Sequence, residues 1–298
     1  MELEHTALRF GRLSSFLKGE LNMSTGLMNR LKWKEALLVN GQPARTNTQV
    51  MPGDRITALL DDPEPEYPAE DMPLEIRYED QDLLVVDKPA GILIHPSRHR
   101  MTGTLANGVL GYYRRTGQSC AFHPATRLDR DTFGLVLLAK NAHIHRLLND
   151  LHTQGLLRKI YHGLVYGAPP DQEGIVDMAI GRCPKPSLLR RIDPQGQPAR
   201  TRYRLLEQGP HWSLLELEPL TGRTHQLRLH CTYLGCPMLG DPQYNTPESA
   251  ALSTRLGLTY QQLCAQELHF PHPMTGTERS IQSSLHVMSE GIPVQSNI

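Results

Sequence analysis

One carboxylate stands between two arginines in the segment Arg127-Leu128-Asp129-Arg130-Asp131, directly before an apolar run. Nearby positive charge favours the ionised form of a carboxylate. Held rigidly at the start of a strand, the Asp129 carboxylate can therefore act as a nucleophile or as a base. The plainer alternative is an ion-paired carboxylate in a turn, and we interpret Asp131 in that way. Asp129 is thus the first candidate for chemistry.

A tyrosine with basic neighbours follows in Arg158-Lys159-Ile160-Tyr161, within a predicted strand. In the middle of a strand, a tyrosine ring most often belongs to the core. Among bases, it can instead stack on a nucleobase while its hydroxyl handles a proton. Both interpretations of Tyr161 stay open at this point.

A third segment, Gly222-Arg223-Thr224-His225-Gln226-Leu227-Arg228, combines arginines with a glycine turn. Guanidinium groups in this setting suit phosphate or carboxylate binding. If the segment is a strand, the odd spacing puts Arg223 and Arg228 on opposite faces, so both cannot reach Asp129. His225 and His230 lack a metal-ligand spacing, and we expect no metal site.

The composition excludes several classes of protein. With 298 residues, 39% hydrophobic and 21% charged, the chain is typical of a soluble globular protein. The five cysteines include no C-x-x-C pair, which favours reduced thiols over disulfides or a zinc site. The acidic start Met1-Glu2-Leu3-Glu4-His5 is no secretory signal, and no apolar run could span a membrane. We therefore expect a cytoplasmic protein without membrane contact.

The charge is balanced in total but unevenly distributed. The chain has 31 bases and 31 acids, yet eleven of the acids and only two of the bases fall within residues 54–82. Residues 181–204 hold seven bases and one acid. Local charge governs affinity for a polyanion, so such a partner is compatible with the neutral total. A solvated charged face explains the same pattern equally well.

One boundary is visible along the chain. Residues 61–73 contain four prolines and six acids, which predicts an extended linker with few contacts. It separates a segment of residues 1–60 from a larger segment of residues 74–289, and residues 290–298 form a polar tail that we expect to be flexible.

In residues 1–60, Ser24 can cap a helix with a broad apolar side made of Leu27, Met28, Leu31 and Leu38. Its bases, Arg30, Lys32 and Lys34, fall on the remaining surface. Turns at Asn40-Gly41 and Pro52-Gly53-Asp54 separate short strands. With Ser24-Thr25-Gly26, these turns make the segment resemble the small RNA-binding domain of small-subunit ribosomal protein S-four. The resemblance implies that the three bases contact RNA.

In the larger segment, strands and helices intermix without strict alternation. This favours an α+β domain with a mixed, mostly antiparallel sheet over a doubly wound fold. The predicted strands after the one at Leu83–Lys88 are Gly134–Lys140, Arg158–Tyr166, Thr201–Glu207 and Ser213–Glu218. The predicted helices are Leu105–Tyr113 and Asn141–Gln154.

Roughly residues 74–285 resemble the RluA-type pseudouridine synthases. Five motifs in order carry the resemblance: Val86-Asp87-Lys88-Pro89-x-Gly91, Arg127-Leu128-Asp129-x-x-Thr132-x-Gly134, Arg158-Lys159-x-Tyr161, Gly222-Arg223-Thr224-His225-Gln226-Leu227-Arg228 and Gly240-Asp241-x-x-Tyr244. Two positions depart from the family pattern, Thr126 in place of His and Phe133 in place of Ser, so the shape of the loop around Asp129 needs inspection.

The resemblance implies a role for each candidate. Asp129 is the catalytic aspartate, Arg127 helps to displace the target base, Tyr161 stacks on the uracil and assists proton movement, and Arg228 pairs with Asp129. We assign Arg223 to phosphate binding or to the fold. Because isomerising uridine to pseudouridine is redox-neutral, no cofactor and no metal is expected.

The resulting interpretation is an RNA pseudouridine synthase, an isomerase acting on RNA. Family analogy favours large-subunit ribosomal RNA as substrate, with transfer RNA as the alternative. A non-catalytic RNA chaperone of the same fold is a further alternative, against which the presence of Asp129, Tyr161 and Arg228 together argues. We expect a monomer.

Overall fold

The computed structural model describes residues 2–60, 65–98 and 100–288. Residues 61–64 of the predicted linker and the whole predicted tail lie outside the described residues. The elements of the N-terminal unit, in chain order, are β1 (Glu2–Thr6), β2 (Gly11–Arg12), α1 (Leu13–Gly19), α2 (Thr25–Trp33), β3 (Leu37–Val39), β4 (Gln42–Pro43), β5 (Gln49–Val50) and β6 (Arg55–Leu59).

The N-terminal unit is a small antiparallel sheet of order β1-β6-β3-β4, covered by α1 and α2 around its own apolar cluster. The Ser24 hydroxyl accepts the Leu27 N–H at 3.2 Å, which confirms the predicted cap of α2. Leu38 was assigned to this helix, and that is wrong. The helix ends at Trp33, Glu35 takes a positive φ of 54°, and Leu38 pairs with Thr57 in the sheet.

The elements of the larger unit follow, and they are β7 (Glu75–Glu79), β8 (Leu83–Lys88), α3 (Leu105–Arg115), β9 (His123–Pro124), β10 (Phe133–Ala139), α4 (Ala142–Thr153), β11 (Arg158–Tyr166), β12 (Glu173–Asp177), β13 (Ile180–Arg182), β14 (Arg190–Ile192), β15 (Arg200–Gln208), β16 (Trp212–Pro219), α5 (Gln226–Tyr233), α6 (Pro247–Arg255), β17 (Leu263–Pro271) and β18 (Glu278–Gln282). Eight strands form the path β12-β15-β16-β11-β17-β10-β8-β7, with β18 and β9 at its sides. Only β10 and β17 pair in parallel among the described strands of this sheet, which confirms a mixed, mostly antiparallel sheet.

Helices cover both faces of the β8–β10 region. Alternate residues of these strands point to opposite sides: Leu83 and Val85 pack in the cluster of α4, whereas Leu84 and Val86 pack in the cluster of α3. A strand buried on both faces has a continuous apolar sequence rather than an alternating one. This explains the unbroken apolar runs that bring β8 and β10 to the loop carrying Asp129.

The chain just before β7 is bound to α3 and is not a free linker. The Asn107 side chain donates to the Pro68 carbonyl at 2.8 Å, and Glu70 accepts the Gly103 N–H at 2.8 Å. The Glu70 carbonyl lies so close to Gly111 that a Cβ there would overlap it. The expectation of few contacts is therefore wrong for residues 67–72, because glycines on α3 let the backbone approach closely.

The N-terminal unit also contacts α4. His143 Nε2 lies 2.9 Å from the Leu21 carbonyl oxygen, and Arg146 donates to the Asn22 carbonyl at 2.6 Å. Burial lowers the pKa of His143 to about 4, with the Arg146 charge acting in the same direction. A neutral ring carrying its proton on Nε2 fits this contact with a carbonyl, so the two units are joined by specific polar bonds.

A stability prediction concerns Gly134, at the point where β10 meets β17. Its φ is 100°, and a Cβ there would overlap the backbone oxygen of Ala265. We expect Gly134→Ala to lower the free energy of unfolding by about 3–5 kcal/mol, through backbone strain and overlap together. Urea denaturation of the variant and the wild type measures the difference in the free energy of unfolding.

The matched control is Gly155→Ala. Gly155 also has a positive φ, 73°, but open space surrounds its Cβ position. Backbone strain alone predicts a loss of about 1–2 kcal/mol there. Equal losses in the two variants would contradict the close approach at Gly134.

Candidate active site

A cavity of about 500 Å³ lies where the loop before β10, strand β11 and the start of α5 meet. Asp129, Tyr161 and Arg228 all line it. The sheet order brings Asp129 and Tyr161 together, since β11, β17 and β10 are consecutive neighbours. Arg228 comes from α5, which follows β16, the other neighbour of β11. The structure thus gathers all three predicted catalytic residues around one space.

The loop carrying Asp129 is fastened at its base. The buried Lys88 ammonium donates to the carbonyls of Arg130 and Pro89 at 2.8 Å and of Ile92 at 3.0 Å. Burial lowers the pKa of Lys88 to about 8, while the charges of Asp131 and Asp129 act in the opposite direction. This side chain ties the end of β8 to the turn after Asp129.

The two departures from the family pattern fit into this loop. The Thr126 hydroxyl accepts the Leu137 N–H at 2.9 Å, so it fastens the loop to β10. Phe133 is buried with Leu164 and Trp212. Neither side chain takes a polar group away from Asp129.

Arg228 is almost fully buried on α5, and its guanidinium group is shared between two carboxylates. Nε and Nη2 each donate to a different oxygen of Asp241 at 2.7 Å, and Nη2 also donates to Gln243 at 2.8 Å. Nη1 lies 3.3 Å from Asp129 Oδ2. The two-pronged bond to Asp241 therefore fixes the guanidinium, and the remaining nitrogen meets Asp129.

Tyr161 lies in β11 at a point where the pairing register with β17 shifts. Its ring is buried in the main core cluster and also faces the cavity. Burial, and next the negative charge of Asp129, raise the pKa of the phenol, so the hydroxyl keeps its proton at neutral pH. The ring offers an apolar face beside the carboxylate.

Residues 222–228 do not form a strand, so the argument from opposite strand faces does not apply to Arg223 and Arg228. They form a loop and the first turn of α5, which begins at Gln226. The Gln226 amide oxygen accepts the Arg223 N–H at 3.0 Å and closes the turn before the helix. Arg223 nevertheless stays away from Asp129: its Nε donates to the Pro198 carbonyl at 3.0 Å, and its exposed side chain lines the cavity.

Comparison with known proteins bears on what this cavity does. The profile of the family described as RNA pseudouridylate synthase matches residues 82–233, about half of the chain. A Bacillus subtilis protein described as an uncharacterized RNA pseudouridine synthase is 37% identical over 245 residues, which cover 80% of this chain and 78% of that protein. The chain belongs to the RluA-type RNA pseudouridine synthase family. It is accordingly an isomerase acting on RNA.

Other similar proteins support the assignment of this synthase to the family. The ribosomal large subunit pseudouridine synthase D of Vibrio parahaemolyticus is 36% identical over 266 residues, covering 84% of this chain and 81% of that protein. Among solved structures, human RNA pseudouridylate synthase domain containing 4 superimposes with a TM-score of 0.58 and 25% identity, over 71% of this chain and 88% of that one.

The predicted RNA-contacting residues of the synthase fall into two groups. Arg127 is exposed and lines the cavity, as does Arg223. Arg30, Lys32 and Lys34 lie on or directly after α2, in the N-terminal unit, and do not line the cavity. The structure does not bring the two groups together.

The basic stretch of residues 181–204 is largely neutralised by acids. Four of its arginines pair with carboxylates at 2.5–3.2 Å: Arg191 with Asp193, Arg200 with Asp177, Arg202 with Glu218 and Arg204 with Glu216. The sequence count overstated the free positive charge, since three of the four partnering acids, Asp177, Glu216 and Glu218, lie outside the counted stretch. Most of this stretch is a solvent-exposed surface whose arginines are paired with carboxylates.

Three potential metal ligands meet outside the cavity. The ligand atoms of Asp80, Asp82 and His272 lie within 4.8 Å of one another, the one such group among the described residues. The Asp80 carboxylate already accepts bonds from His272, Tyr78 and two backbone N–H groups, which occupy it in the fold.

In the described part of the synthase, no helix is both long and apolar enough to cross a bilayer.

Lys88, Asp241, Tyr244 and His225 belong to the five sequence motifs, but the sequence alone assigns them no role. Lys88 and Asp241 hold the loop and the guanidinium described above. A lysine at the end of an unbroken apolar strand was the available signal, because a buried ammonium must find acceptors. For Asp241, the signal was an acid in the motif that follows Arg228, since a buried arginine needs a carboxylate partner.

Proposed function

We propose that this synthase isomerises specific uridines in large-subunit ribosomal RNA, with Asp129, Tyr161 and Arg228 as its catalytic residues. The observation that carries the catalytic assignment is the Asp129 carboxylate, 3.3 Å from Arg228 in a cavity that Tyr161 also lines. The name of the Vibrio relative supports the choice of RNA. The protein acts as a cytoplasmic monomer in this proposal.

The reaction breaks an N-glycosidic bond, rotates the base and forms a C–C bond. One carboxylate suffices to trap the sugar intermediate or to remove its proton, whereas glycoside hydrolysis normally uses two. Arg228 holds the Asp129 carboxylate in its orientation. Tyr161 stacks on the detached uracil and holds it in the cavity during rotation. Its protonated hydroxyl donates a hydrogen bond to the base.

The target nucleotide must leave its stack before it can reach Asp129, at a cost of a few kcal/mol. The exposed Arg127 enters the space that the base vacates, and Arg223 binds phosphate at the rim. Residues 1–60 act as the S-four-like RNA-binding domain, ahead of a catalytic domain of residues 74–289. Trp33, which is 81% exposed beside Lys32, adds an aromatic face for a base.

The RNA-binding role of α2 predicts a change in salt dependence. Replacing Arg30, Lys32 and Lys34 together by Ala removes up to three phosphate contacts. We expect weaker RNA binding and a log–log salt slope reduced by about 2–3. Titration of binding at several salt concentrations measures the slope.

The matched control exchanges the same residues by type, Arg30→Lys with Lys32→Arg and Lys34→Arg, which keeps every charge. It is expected to keep the slope. An unchanged slope in the Ala variant would show that α2 does not touch RNA.

Mapping pseudouridines in RNA from cells with and without this protein tests the substrate. Loss of modification at particular uridines of large-subunit ribosomal RNA is the expected result. Loss confined to transfer RNA would establish the alternative substrate. If no site is lost while purified protein still binds and remodels RNA, the chaperone alternative holds.

A further inference from the structure

His225 stands between the catalytic carboxylate and a tyrosine that the proposed mechanism does not use. It precedes α5 with a left-handed backbone, φ 59°, which turns its ring toward the cavity. Nδ1 lies 2.7 Å from the Tyr244 hydroxyl. On the other side of the ring, Nε2 lies 3.9 Å from Asp129 Oδ2. The imidazole thus spans from Tyr244 to Asp129.

The hydrogen bonds of Tyr244 determine which ring nitrogen carries the proton. The Tyr244 oxygen accepts the backbone N–H of Arg190 at 2.9 Å. Its own single proton then needs an acceptor, and His225 Nδ1 is the one in reach among the described residues. A neutral imidazole that accepts at Nδ1 carries its proton on Nε2. The donor therefore points at Asp129.

Both donors near the catalytic aspartate approach the same oxygen. Arg228 Nη1 lies 3.3 Å from Asp129 Oδ2, and His225 Nε2 approaches that atom from another direction. Among the residues that the structure describes, none donates a hydrogen bond to Oδ1. Held through Oδ2, the carboxylate presents Oδ1 to the nucleotide.

We propose that His225, locked as the neutral Nε2–H tautomer by Tyr244, is a positioning residue that steers Asp129 so that Oδ1 reacts. This inference rests on the proposed catalytic role of Asp129. When the nucleotide fills the cavity and excludes water, the Nε2–H group closes from 3.9 Å to hydrogen-bond distance of Oδ2. A cationic His225 would instead form an ion pair with Asp129 and make the carboxylate less reactive.

Burial and the neighbouring charges determine whether His225 is a neutral imidazole or a cationic imidazolium. Asp129 and Asp241 favour the imidazolium, whereas Arg228 and Arg190 disfavour it. Burial is the largest influence and, with the arginines, lowers the pKa of the imidazole. The bond from Tyr244 to Nδ1 acts in the same direction, because only the neutral ring can accept it.

The first test observes the tautomer directly in the full-length protein. In ¹⁵N-histidine-labelled protein at neutral pH, the ring nitrogen signals of His225 are assigned as those that are absent from the spectrum of His225→Gln. We expect a protonated Nε2 and an unprotonated Nδ1. A protonated Nδ1, or protons on both nitrogens, would overturn the proposal, whether or not the RNA target is correct.

The second test is the acid side of the rate profile in single-turnover reactions. Tyr244→Phe removes the bond that favours neutral His225, so its pKa rises and activity is lost at a higher pH than in the wild type. At neutral pH the rate falls on the order of tenfold to hundredfold through misplacement of Asp129. RNA affinity stays unchanged.

Two further variants distinguish the role of His225 from a general structural effect of Tyr244→Phe. Tyr233→Phe, at an exposed position of α5, should behave like the wild type. His225→Gln keeps an N–H near the Nε2 position but does not titrate, so adding it to Tyr244→Phe should abolish the acid shift. A Tyr244→Phe profile without any shift, or a shift that persists in the double variant, would refute the role of His225. Wild-type protein inactive on every RNA would refute the proposed function instead.

Discussion

Asp129→Asn is expected to abolish pseudouridine formation while RNA binding persists. The amide keeps the size of the carboxylate and can still occupy the space beside Arg228, but it can neither attack the sugar nor take its proton. The rate should fall at least about 1,000-fold, which corresponds to about 4 kcal/mol in the barrier. Single-turnover kinetics beside a binding titration measures both quantities.

Asp131→Asn is the matched control, because Asp131 is two residues away and pairs with its neighbour Arg130 at 2.8 Å. It should retain activity within a few-fold of the wild type. If Asp129→Asn formed pseudouridine at a nearly wild-type rate, the catalytic assignment would be wrong. RNA binding without turnover in both the wild type and Asp129→Asn would instead favour an RNA chaperone.

Local pattern was enough to predict β10, β11 and α4 beside the site, but not α5 or β17. The predicted strand Arg158–Tyr166 is observed with the same bounds, because polar and apolar neighbours mark both of its ends. The predicted helix Asn141–Gln154 is observed as Ala142–Thr153, with Asn141 as the N-cap that accepts the Ile144 N–H. Such caps and periodicities depend on residues only a few positions apart.

The arrangement of those elements depended on contacts between distant residues. The parallel pairing of Phe133 with Cys264 and the bond from Lys88 to Arg130 join segments that no local pattern connects. The strand geometry considered for Arg228 fails for a related reason. The turn closed by the Gln226 amide starts a helix at that point, and no periodic pattern in this mostly polar segment indicates it.

Consequently, the reason why Arg228 rather than Arg223 reaches Asp129 differs from the sequence argument. Opposite faces of a strand do not separate the two residues. Arg223 is held in the loop by the Pro198 carbonyl, while Arg228 is aimed from inside α5 by Asp241. The motif singled out both arginines, and the buried partner Asp241 explains how Arg228 is oriented.

Arg228→Lys should reduce turnover about a hundredfold or more, equivalent to about 2.7 kcal/mol in the barrier, with little change in RNA binding. The guanidinium binds Asp241 through Nε and Nη2 and still places Nη1 at Asp129. A lysine ammonium is a single point of charge and cannot reproduce this planar arrangement. It therefore serves one carboxylate and leaves the other without its partner. Arg228 is buried at the cavity wall, so its replacement leaves the exposed surface around the cavity unchanged.

Arg223→Lys is the matched comparison, the same exchange at an exposed arginine of the same cavity. It should weaken RNA binding modestly and leave the single-turnover rate close to that of the wild type, since the side chain bonds a loop carbonyl rather than Asp129. Thermal unfolding of both variants separates lost chemistry from lost folding, which matters because Arg228→Lys disturbs a buried ion pair. If Arg223→Lys slowed the chemical step more than Arg228→Lys in folded protein, Arg228 would not be the partner through which Asp129 is held for reaction.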